Sequence, residues 1–242
     1  MKTDILGTPV DMLSLREAAG RIEEYIGQGV PRLVVTANPE IIMLARRDAG
    51  FGEILAKADM VTADGIGVVV AARILGVPLR ERVTGIDLSR ELFLAAGRKG
   101  YRIYLLGARP GVAEQAARNL AGEFPGIRIV GCHDGYFSDD GPVVADIKAK
   151  APDILLVALG MGKQEKWVWR HKAGLGVPVS IGVGGSLDVY AGIARRAPLW
   201  MQKLGIEWLY RLLRQPSRFW RMLALPYFLA LVILDAIKQK LP

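Results

Sequence analysis

Short uninterrupted runs of apolar residues alternate with amphipathic segments along the first 194 residues. The runs that predict buried strands share high apolar content and lie at 33–35, 60–62, 102–106, 127–132, 153–159 and 177–183. The segments between them place apolar residues at helical spacing and predict helices. Strands that are apolar throughout and separated by helices are typical of parallel sheets covered on both sides. Residues 1–194 are therefore predicted to form an α/β domain with a Rossmann-like, mostly parallel sheet and helices on both faces.

Polar or glycine-rich residues follow these strands, so the loops after them should meet at one edge of the sheet, where ligands of such folds bind. Asp64 stands between the strand at 60–62 and a predicted helix at 68–75, and the glycines at 65 and 67 allow a substrate to approach the backbone. A structural alternative is that Asp64 only caps this helix while the glycines form the turn.

Residues 195–242 differ in composition and form a predicted C-terminal appendage. The appendage has nine basic and two acidic residues and so carries seven of the eight net positive charges of the chain. Four arginines recur at intervals of three, four and three, namely Arg211, Arg214, Arg218 and Arg221. They would share one face of a continuous helix, although Pro216 would interrupt it.

The apolar run 223–234 is shorter than the roughly 20 residues of a membrane-spanning helix. Basic residues, tryptophans and a short apolar run together predict a helical segment that lies on an anionic membrane surface. The alternatives are a helical hairpin packed on the domain or a contact with a second copy in a homo-oligomer. Nucleic acid is not favoured as a partner, because the aliphatic and aromatic content is too high for an electrostatic footprint.

The single cysteine, Cys132, suits a reducing compartment, and the first residues lack an apolar leader. We therefore expect a cytoplasmic protein at the inner face of the cell membrane. The sequence has no Gly-x-Gly-x-x-Gly, no phosphate-binding Walker loop, no Asp-x-Asp and no metal-spaced cluster, so neither a cofactor nor a metal is expected. A diphosphate can still bind at the helix N-termini after Gly107 or Gly184.

Five segments carry a resemblance to a known family, and they lie at 34–40, 62–67, 81–87, 162–167 and 183–188. In order and over nearly the whole chain, they resemble the WecG/TagA/CpsF glycosyltransferases. The resemblance implies inverting, metal-independent transfer of a sugar from a UDP-sugar to a polyprenyl-diphosphate-linked acceptor. The best-known members add N-acetylmannosamine to undecaprenyl-diphosphate-N-acetylglucosamine, the linkage unit of wall teichoic acid. Ala63 and Gly162 depart from the family pattern, which often has proline at these positions.

The resemblance and the side-chain chemistry imply roles for named residues. Asp64 would be the general base, and Thr36 and Asn38 would hydrogen-bond the donor sugar or its phosphates. The predicted substrate-binding residues are Arg82 for the leaving diphosphate, Gln164 for either sugar, Tyr136 and Asp188 for the uracil, and Gly107 and Gly184 for a diphosphate. The four appendage arginines would reach over the site to a diphosphate or would bind the membrane.

Other interpretations stay open. The donor sugar would differ if this chain used UDP-N-acetylmannosamine uronic acid or a UDP-hexose for another surface polysaccharide. A non-catalytic module that binds nucleotide sugars at the membrane is an alternative of another class, as is a nucleotide-dependent oxidoreductase. Three of the predicted substrate-binding residues also have a structural alternative. Arg82 would then only pair with Glu81, Asp188 would cap a helix, and Gln164 would lie at the surface.

Overall fold

The computed structural model describes residues 1–77, 79–214, 216 and 219–240, and the fold is given for these ranges. The strands are β1 (Lys2–Ile5), β2 (Thr8–Asp11), β3 (Arg32–Ala37), β4 (Met60–Ala63), β5 (Arg102–Gly107), β6 (Arg128–His133), β7 (Ile154–Ala158) and β8 (Val179–Gly182). The helices are α1 (Leu15–Gln28), α2 (Pro39–Arg47), α3 (Ala49–Ala56), α4 (Ile66–Ile74), α5 (Gly85–Lys99), α6 (Val112–Glu123), α7 (Asp140–Lys150), α8 (Lys163–Leu175), α9 (Ser186–Tyr190), α10 (Leu199–Lys203), α11 (Glu207–Arg214), α12 (Phe219–Met222) and α13 (Ala224–Lys240).

Six strands form one parallel sheet in the order β4-β3-β8-β7-β5-β6, and β1 and β2 form a separate antiparallel hairpin. The chain runs from β3 outward to β4 and then crosses to β5 on the other side of β3. In open α/β sheets, ligands bind at the carboxyl ends of the strands beside such a reversal. A ligand is therefore expected at the loops that follow β4, β3 and β8.

Each face of the sheet has its own hydrophobic core, because successive side chains of a strand point to opposite faces. On β3, Val35 belongs to one buried cluster and Val34 to the other. The helices α2, α3, α4, α7, α8 and α13 pack on the Val35 side, and α1, α5, α6 and α9 pack on the Val34 side. β7 is buried from end to end, which explains why the strands are continuous apolar runs. The predicted parallel α/β sheet with helices on both faces is confirmed.

Helix α5 begins earlier than the sequence predicted. The charged segment 80–87 was expected to be a loop before a helix at 88–98, but the helix starts at Gly85. Thr84 has an extended backbone, and its Oγ1 accepts the backbone N–H of Asp87 at 3.2 Å. Because threonine is a favourable N-cap, the helix begins at the next residue. This places the backbone N–H groups of the first turn of α5 beside the end of β4.

The appendage is helical, as predicted, and its longest helix packs on the domain. Phe228 and Val232 of α13 are fully buried in the Val35-side cluster, against α2 and α4. Pro216 lies between α11 and α12, so Arg211 and Arg214 belong to one described helix and Arg221 to another. Among the described residues, none of the helices combines the length and the apolar character needed to span a bilayer.

Candidate active site

Asp64 lies directly after β4, at the carboxyl edge of the sheet. Its backbone N–H donates to the Ala37 carbonyl at 2.8 Å, which holds it beside the end of β3. Its carboxylate Oδ2 accepts the backbone N–H of Gly85 at 3.3 Å. The residue that caps α4 is Gly65, whose φ of 101° suits glycine. The alternative that Asp64 caps this helix is therefore wrong, and its carboxylate instead contacts the first turn of α5.

The segment before α5 is fastened to the end of β4 by two hydrogen bonds. The Val83 backbone N–H donates to the Ala63 carbonyl at 2.9 Å, and the Thr62 hydroxyl donates to the Val83 carbonyl at 3.1 Å. These bonds fix the start of α5, whose N-terminal dipole end stabilises a nearby negative charge by about 0.3–1 kcal/mol. The carboxylate of Asp64 is thus held in a favourable local field.

Thr36 is the penultimate residue of β3, and its side chain is directed along the same edge. Its hydroxyl donates to the Gly182 carbonyl of β8 at 3.2 Å. A Cβ added to Gly85 would lie 3.2 Å from Thr36 Oγ1. A glycine at the start of α5 therefore allows that helix to approach β3 closely, so that Thr36 and Asp64 both contact Gly85.

Asn38 follows β3 and caps helix α2. Its Oδ1 accepts the backbone N–H of Ile41 at 2.9 Å, which is a standard N-cap bond. Ala37 pairs with Ala63 in the register of β3 and β4, so Asn38 and Asp64 follow adjacent positions on neighbouring strands. The structure thus brings the three predicted catalytic residues to one part of the edge.

Gln164 lies in the first turn of α8 and is 3% exposed, so the alternative that places it at the surface is wrong. Its Nε2 donates to Glu165 Oε1 at 2.7 Å, and its Oε1 accepts the backbone N–H of Gly184 at 3.2 Å. The other oxygen of Glu165 accepts the Gly162 backbone N–H at 2.8 Å. Burial raises the pKa of Glu165 above its ordinary value, against the opposing effect of these hydrogen bonds.

Arg82 pairs with the appendage. Its Nη1 lies 3.4 Å from Oε2 of Glu207, the first residue of α11. The other oxygen of Glu207 accepts from Nε of Arg196 at 3.2 Å. Arg196 also donates to both carboxylate oxygens of Asp87, at 2.5 and 2.8 Å. In the structural alternative, Arg82 would only pair with Glu81. The carboxylate of Glu81 instead accepts the backbone N–H of Leu15.

The Asp87–Arg196 pair is the best-formed part of this network. Burial opposes the charge of Asp87, yet hydrogen bonds from Arg196 and the Thr84 hydroxyl outweigh it and lower the pKa of this carboxyl. Burial likewise opposes the charge of Arg196, and its hydrogen bonds and proximity to Asp87 raise its pKa above the ordinary value. The network joins the start of α5, next to Asp64, to the beginning of α11.

The remaining predicted residues fall into two groups along the edge. Gly184 and Asp188 follow β8, next to β3, and the N-cap of α9 is the residue at 185, so Asp188 is not its cap. Gly107 ends β5, and Tyr136 lies in the loop after β6 with 72% of its surface exposed. With about 4.8 Å between strands, β5 is about 14 Å and β6 about 19 Å from β3. The structure therefore does not bring Gly107 and Tyr136 next to Asp64.

The glycine at 107 also has a packing reason. Its φ is 121°, and an added Cβ would lie 2.5 Å from the backbone carbonyl of Ala158. Gly107 is thus needed for the close approach of β5 and β7.

The appendage also contacts the start of α4, immediately after Asp64. An added Cβ on Gly205 would lie 2.8 Å from Ile66 Cγ1, and one on Gly67 would lie 3.2 Å from Leu225 Cδ2. Residues on both sides of α11 and α12 therefore pack beside the candidate site.

The predicted appendage arginines are placed unequally. Arg214 is exposed, with its guanidinium carbon 5.9 Å from the centroid of the Tyr210 ring. The backbones of Arg211 and Arg221 lie in α11 and α12, and Arg218 lies outside the described residues.

Sequence reasoning missed Glu165, Arg196 and Glu207. Two signals were present: Glu165 stands three residues after Gly162 at a helix start, and Glu207 is one of only two acidic residues in the basic appendage. A lone acid among many bases favours an ion pair, although its partner is not apparent from the sequence.

Comparison with known proteins shows the family of the chain. The model described as "Glycosyl transferase WecG/TagA/CpsF family" matches residues 3–242. The chain belongs to this glycosyltransferase family. A Bacillus subtilis strain 168 protein named N-acetylglucosaminyldiphosphoundecaprenol N-acetyl-beta-D-mannosaminyltransferase is 38% identical over 218 residues, which cover 90% of this chain and 85% of that protein. A protein of the same name from Staphylococcus aureus strain MW2 is 38% identical over 231 residues, covering 94% and 91%. The resemblance seen in the five segments is confirmed.

The described part of this glycosyltransferase has no group of three His, Cys, Asp or Glu side chains placed to hold a metal ion. The arrangement around Asp64 instead offers one carboxylate, a threonine hydroxyl, an asparagine amide and the N-terminus of α5. These groups can accept a proton and hydrogen-bond a polar substrate.

Proposed function

We propose that the protein transfers N-acetylmannosamine from UDP-N-acetylmannosamine to undecaprenyl-diphosphate-N-acetylglucosamine. Inversion at the anomeric carbon would give a β-1,4 linkage, in the linkage unit of teichoic acid. The names of the relatives describe a β-D-mannosaminyl transfer to the same lipid-linked sugar. The UDP donor and the inverting course are inferred from the family resemblance.

The position of Asp64 is the observation that carries the proposal. Asp64 directly follows β4, and one oxygen of its carboxylate accepts the Gly85 N–H. Thr36 and Asn38 lie at the same part of the sheet edge. In the proposed step, Asp64 takes the proton of the acceptor hydroxyl while that oxygen bonds to the anomeric carbon of the donor. The bond between this carbon and the phosphate oxygen breaks, and UDP leaves with the electron pair. A positioned general base of this kind contributes about 10²–10⁴-fold to rate.

Arg82 is the proposed partner of the leaving diphosphate. A guanidinium has five N–H donors and suits phosphate oxygens, and the described contact with Glu207 uses Nη1 alone at 3.4 Å. Arg82 is 19% exposed and lies in the segment that leads to Gly85. It can therefore hold a diphosphate near Asp64 while it stays joined to the appendage.

The test is UDP release in the presence of EDTA, with UDP-N-acetylmannosamine and a lipid-diphosphate-N-acetylglucosamine analogue. We expect turnover by the wild type and a loss of about 10²–10⁴-fold for Asp64→Asn at unchanged melting temperature. Asp4→Asn, in the β1–β2 hairpin, is the matched control and should keep wild-type turnover. Full turnover by Asp64→Asn would refute the base assignment. If only a UDP-uronic acid or a UDP-hexose supports turnover, that sugar nucleotide is the donor instead of UDP-N-acetylmannosamine. If no donor supports turnover, the non-catalytic binding module is favoured.

We also propose that the appendage docks on an anionic membrane, where a lipid-linked acceptor resides. Several of its large apolar side chains are exposed, with Trp200 at 59%, Leu204 at 66% and Trp220 at 78%. Basic residues such as Arg195 and Lys203 lie near them in the sequence. Apolar side chains that insert at an interface, beside cations attracted to anionic lipid, are typical of peripheral membrane proteins.

Sedimentation with vesicles tests this docking. We expect binding to vesicles that contain phosphatidylglycerol, weaker binding to phosphatidylcholine alone, and a decrease with salt. The pair Trp200→Ser and Leu204→Ser should reduce binding at least fivefold, whereas Leu94→Ser, an exposed leucine of α5, should not. Equal binding by all variants would contradict the role of the appendage.

A further inference from the structure

Glu165 is a buried carboxylate to which the proposed reaction assigns no role. Its exposure is 0%, and none of the ion pairs in the described part of the chain includes it. A buried charge that no cation balances is unfavourable for folding. Such a group is expected to be kept for a reason other than stability.

Glu165 determines the orientation of its neighbour Gln164. Glu165 Oε1 accepts the amide nitrogen of Gln164 at 2.7 Å, so the Gln164 side chain turns its nitrogen towards Glu165. This leaves the Gln164 carbonyl oxygen for the backbone N–H of Gly184, at 3.2 Å. The second carboxylate oxygen is held by the Gly162 N–H at 2.8 Å, which fixes Glu165 itself.

The Gln164–Glu165 pair packs directly on the end of β8. A Cβ added to Gly182 would lie 2.5 Å from Gln164 Nε2 and 2.8 Å from Glu165 Oε1, so these polar groups lie on a strand position without a side chain. The carbonyl of the same Gly182 accepts the hydroxyl of Thr36 at 3.2 Å. One end of β8 is thus held on one side by the amide and on the other by a predicted catalytic residue.

We propose that Glu165 is a positioning residue, which fixes the Gln164 amide and through it the Gly182–Gly184 backbone beside Thr36 and Asp64. The proposal rests on the proposed glycosyl transfer for its effect on turnover. Its structural part does not depend on that function. A reacting group misplaced by about 1 Å can lose about 10²-fold in rate, so a small shift of this backbone is enough to matter.

Glu165→Gln tests the polarity of the network at nearly constant shape. The Gly162 N–H would donate to the new amide oxygen, and the new amide nitrogen would face Gln164. Gln164 would then have to present its oxygen to residue 165 and its nitrogen to the Gly184 N–H, which sets two donors against each other. In the double variant Gln164→Glu with Glu165→Gln, the carboxylate at position 164 accepts from both the amide nitrogen at position 165 and the Gly184 N–H.

The first measurement is amide hydrogen exchange at Gly184 in the ligand-free protein. We expect exchange to rise at least tenfold in Glu165→Gln and to return towards the wild-type rate in the double variant. The melting temperature of Glu165→Gln should stay close to that of wild type, because removal of a buried charge offsets the cost of the two donors that face each other. Glu53→Gln, an exposed change on α3, controls for the loss of one carboxylate and should leave exchange unchanged.

The second measurement is steady-state kinetics. We expect kcat of Glu165→Gln to fall 10–100-fold with KM within threefold of wild type, whereas the double variant is used only for the exchange measurement, because it also changes the predicted sugar-binding residue Gln164. Unchanged Gly184 exchange in Glu165→Gln would overturn the proposal whatever the activity. A fall in kcat that only follows a lower melting temperature would also overturn it. If the wild type shows no turnover, the proposed function fails while the exchange experiment still decides the role of Glu165.

Discussion

The contact between Glu207 and Arg196 should be measurable as a coupling free energy between α11 and the start of the appendage, where Arg196 is held on the domain by Asp87. Glu207 begins α11, whereas Asp87, the other partner of Arg196, lies in the first turn of α5. The side chains of Arg196 and Glu207 are 20% and 9% exposed, so solvent screens their interaction only in part. A hydrogen bond to a charged group contributes about 1.5–3 kcal/mol. For one 3.2 Å bond with partial exposure we expect a coupling of about 1–2 kcal/mol.

A double-mutant cycle on the free energy of unfolding in urea measures this coupling. It uses Arg196→Gln, Glu207→Gln and the variant with both changes, so the cost of leaving Asp87 without its partner cancels. Glu207→Gln alone should lower the melting temperature by about 2–4 °C for each kcal/mol lost. The same cycle with Arg82→Gln should give less than about 1 kcal/mol, because that contact is longer.

The matched control is the surface pair of Arg90 and Glu123, whose side chains are 55% and 48% exposed. Exposed pairs contribute about 0.2–1 kcal/mol, and we expect salt to remove most of it. A coupling within about 0.3 kcal/mol of zero for Arg196 and Glu207 would refute the reasoning. It would mean that this ion pair does not hold α11 on Arg196 in solution.

Two further predictions concern the end of β8. Gly182→Ala should destabilise the protein by about 1–3 kcal/mol in urea unfolding, because its Cβ would overlap Gln164 and Glu165. Gly122→Ala, in open space on α6, should instead stabilise by about 0.5–1 kcal/mol, and the reverse order would contradict the packing argument. The raised pKa of Glu165 makes the folded state bind its proton more tightly than the unfolded state, so the stability of wild type relative to Glu165→Gln should decrease as pH rises above about 4.5 through the folded pKa. Urea titrations between pH 4.5 and 8 check the sign, and an increase over this range would refute it.

The strands and the place of Asp64 follow from local pattern. Buried parallel strands are continuous apolar runs, and their carboxyl ends share an edge, so Asp64 and Thr36 could be expected near each other. The order of the strands has no such local signal. That β8 lies beside β3, with Gly182 next to Thr36, depends on packing across the whole sheet.

The ion pairs of the site were beyond sequence reasoning for a related reason. Arg82 and Glu207 are 125 positions apart, and no spacing rule links residues at that separation. The start of α5 was within reach, because Thr84 and Asp87 form an N-cap pattern, but the charged residues around them suggested a loop. Local signals thus compete, and the capping geometry determined the outcome.

The burial of α13 determines how the appendage acts on the site. Detaching this helix would expose Phe228 and Val232, each of which contributes about 1.5–3 kcal/mol when fully buried. The cost of about 3–6 kcal/mol makes the detached form about 10²- to 10⁴-fold less populated than the docked one. The helices beneath it, α2 and α4, begin directly after Asn38 and Gly65. Helix α13 therefore behaves as a fixed part of the framework that holds Asp64, and the proposed membrane contact of the appendage would orient this edge of the sheet through it.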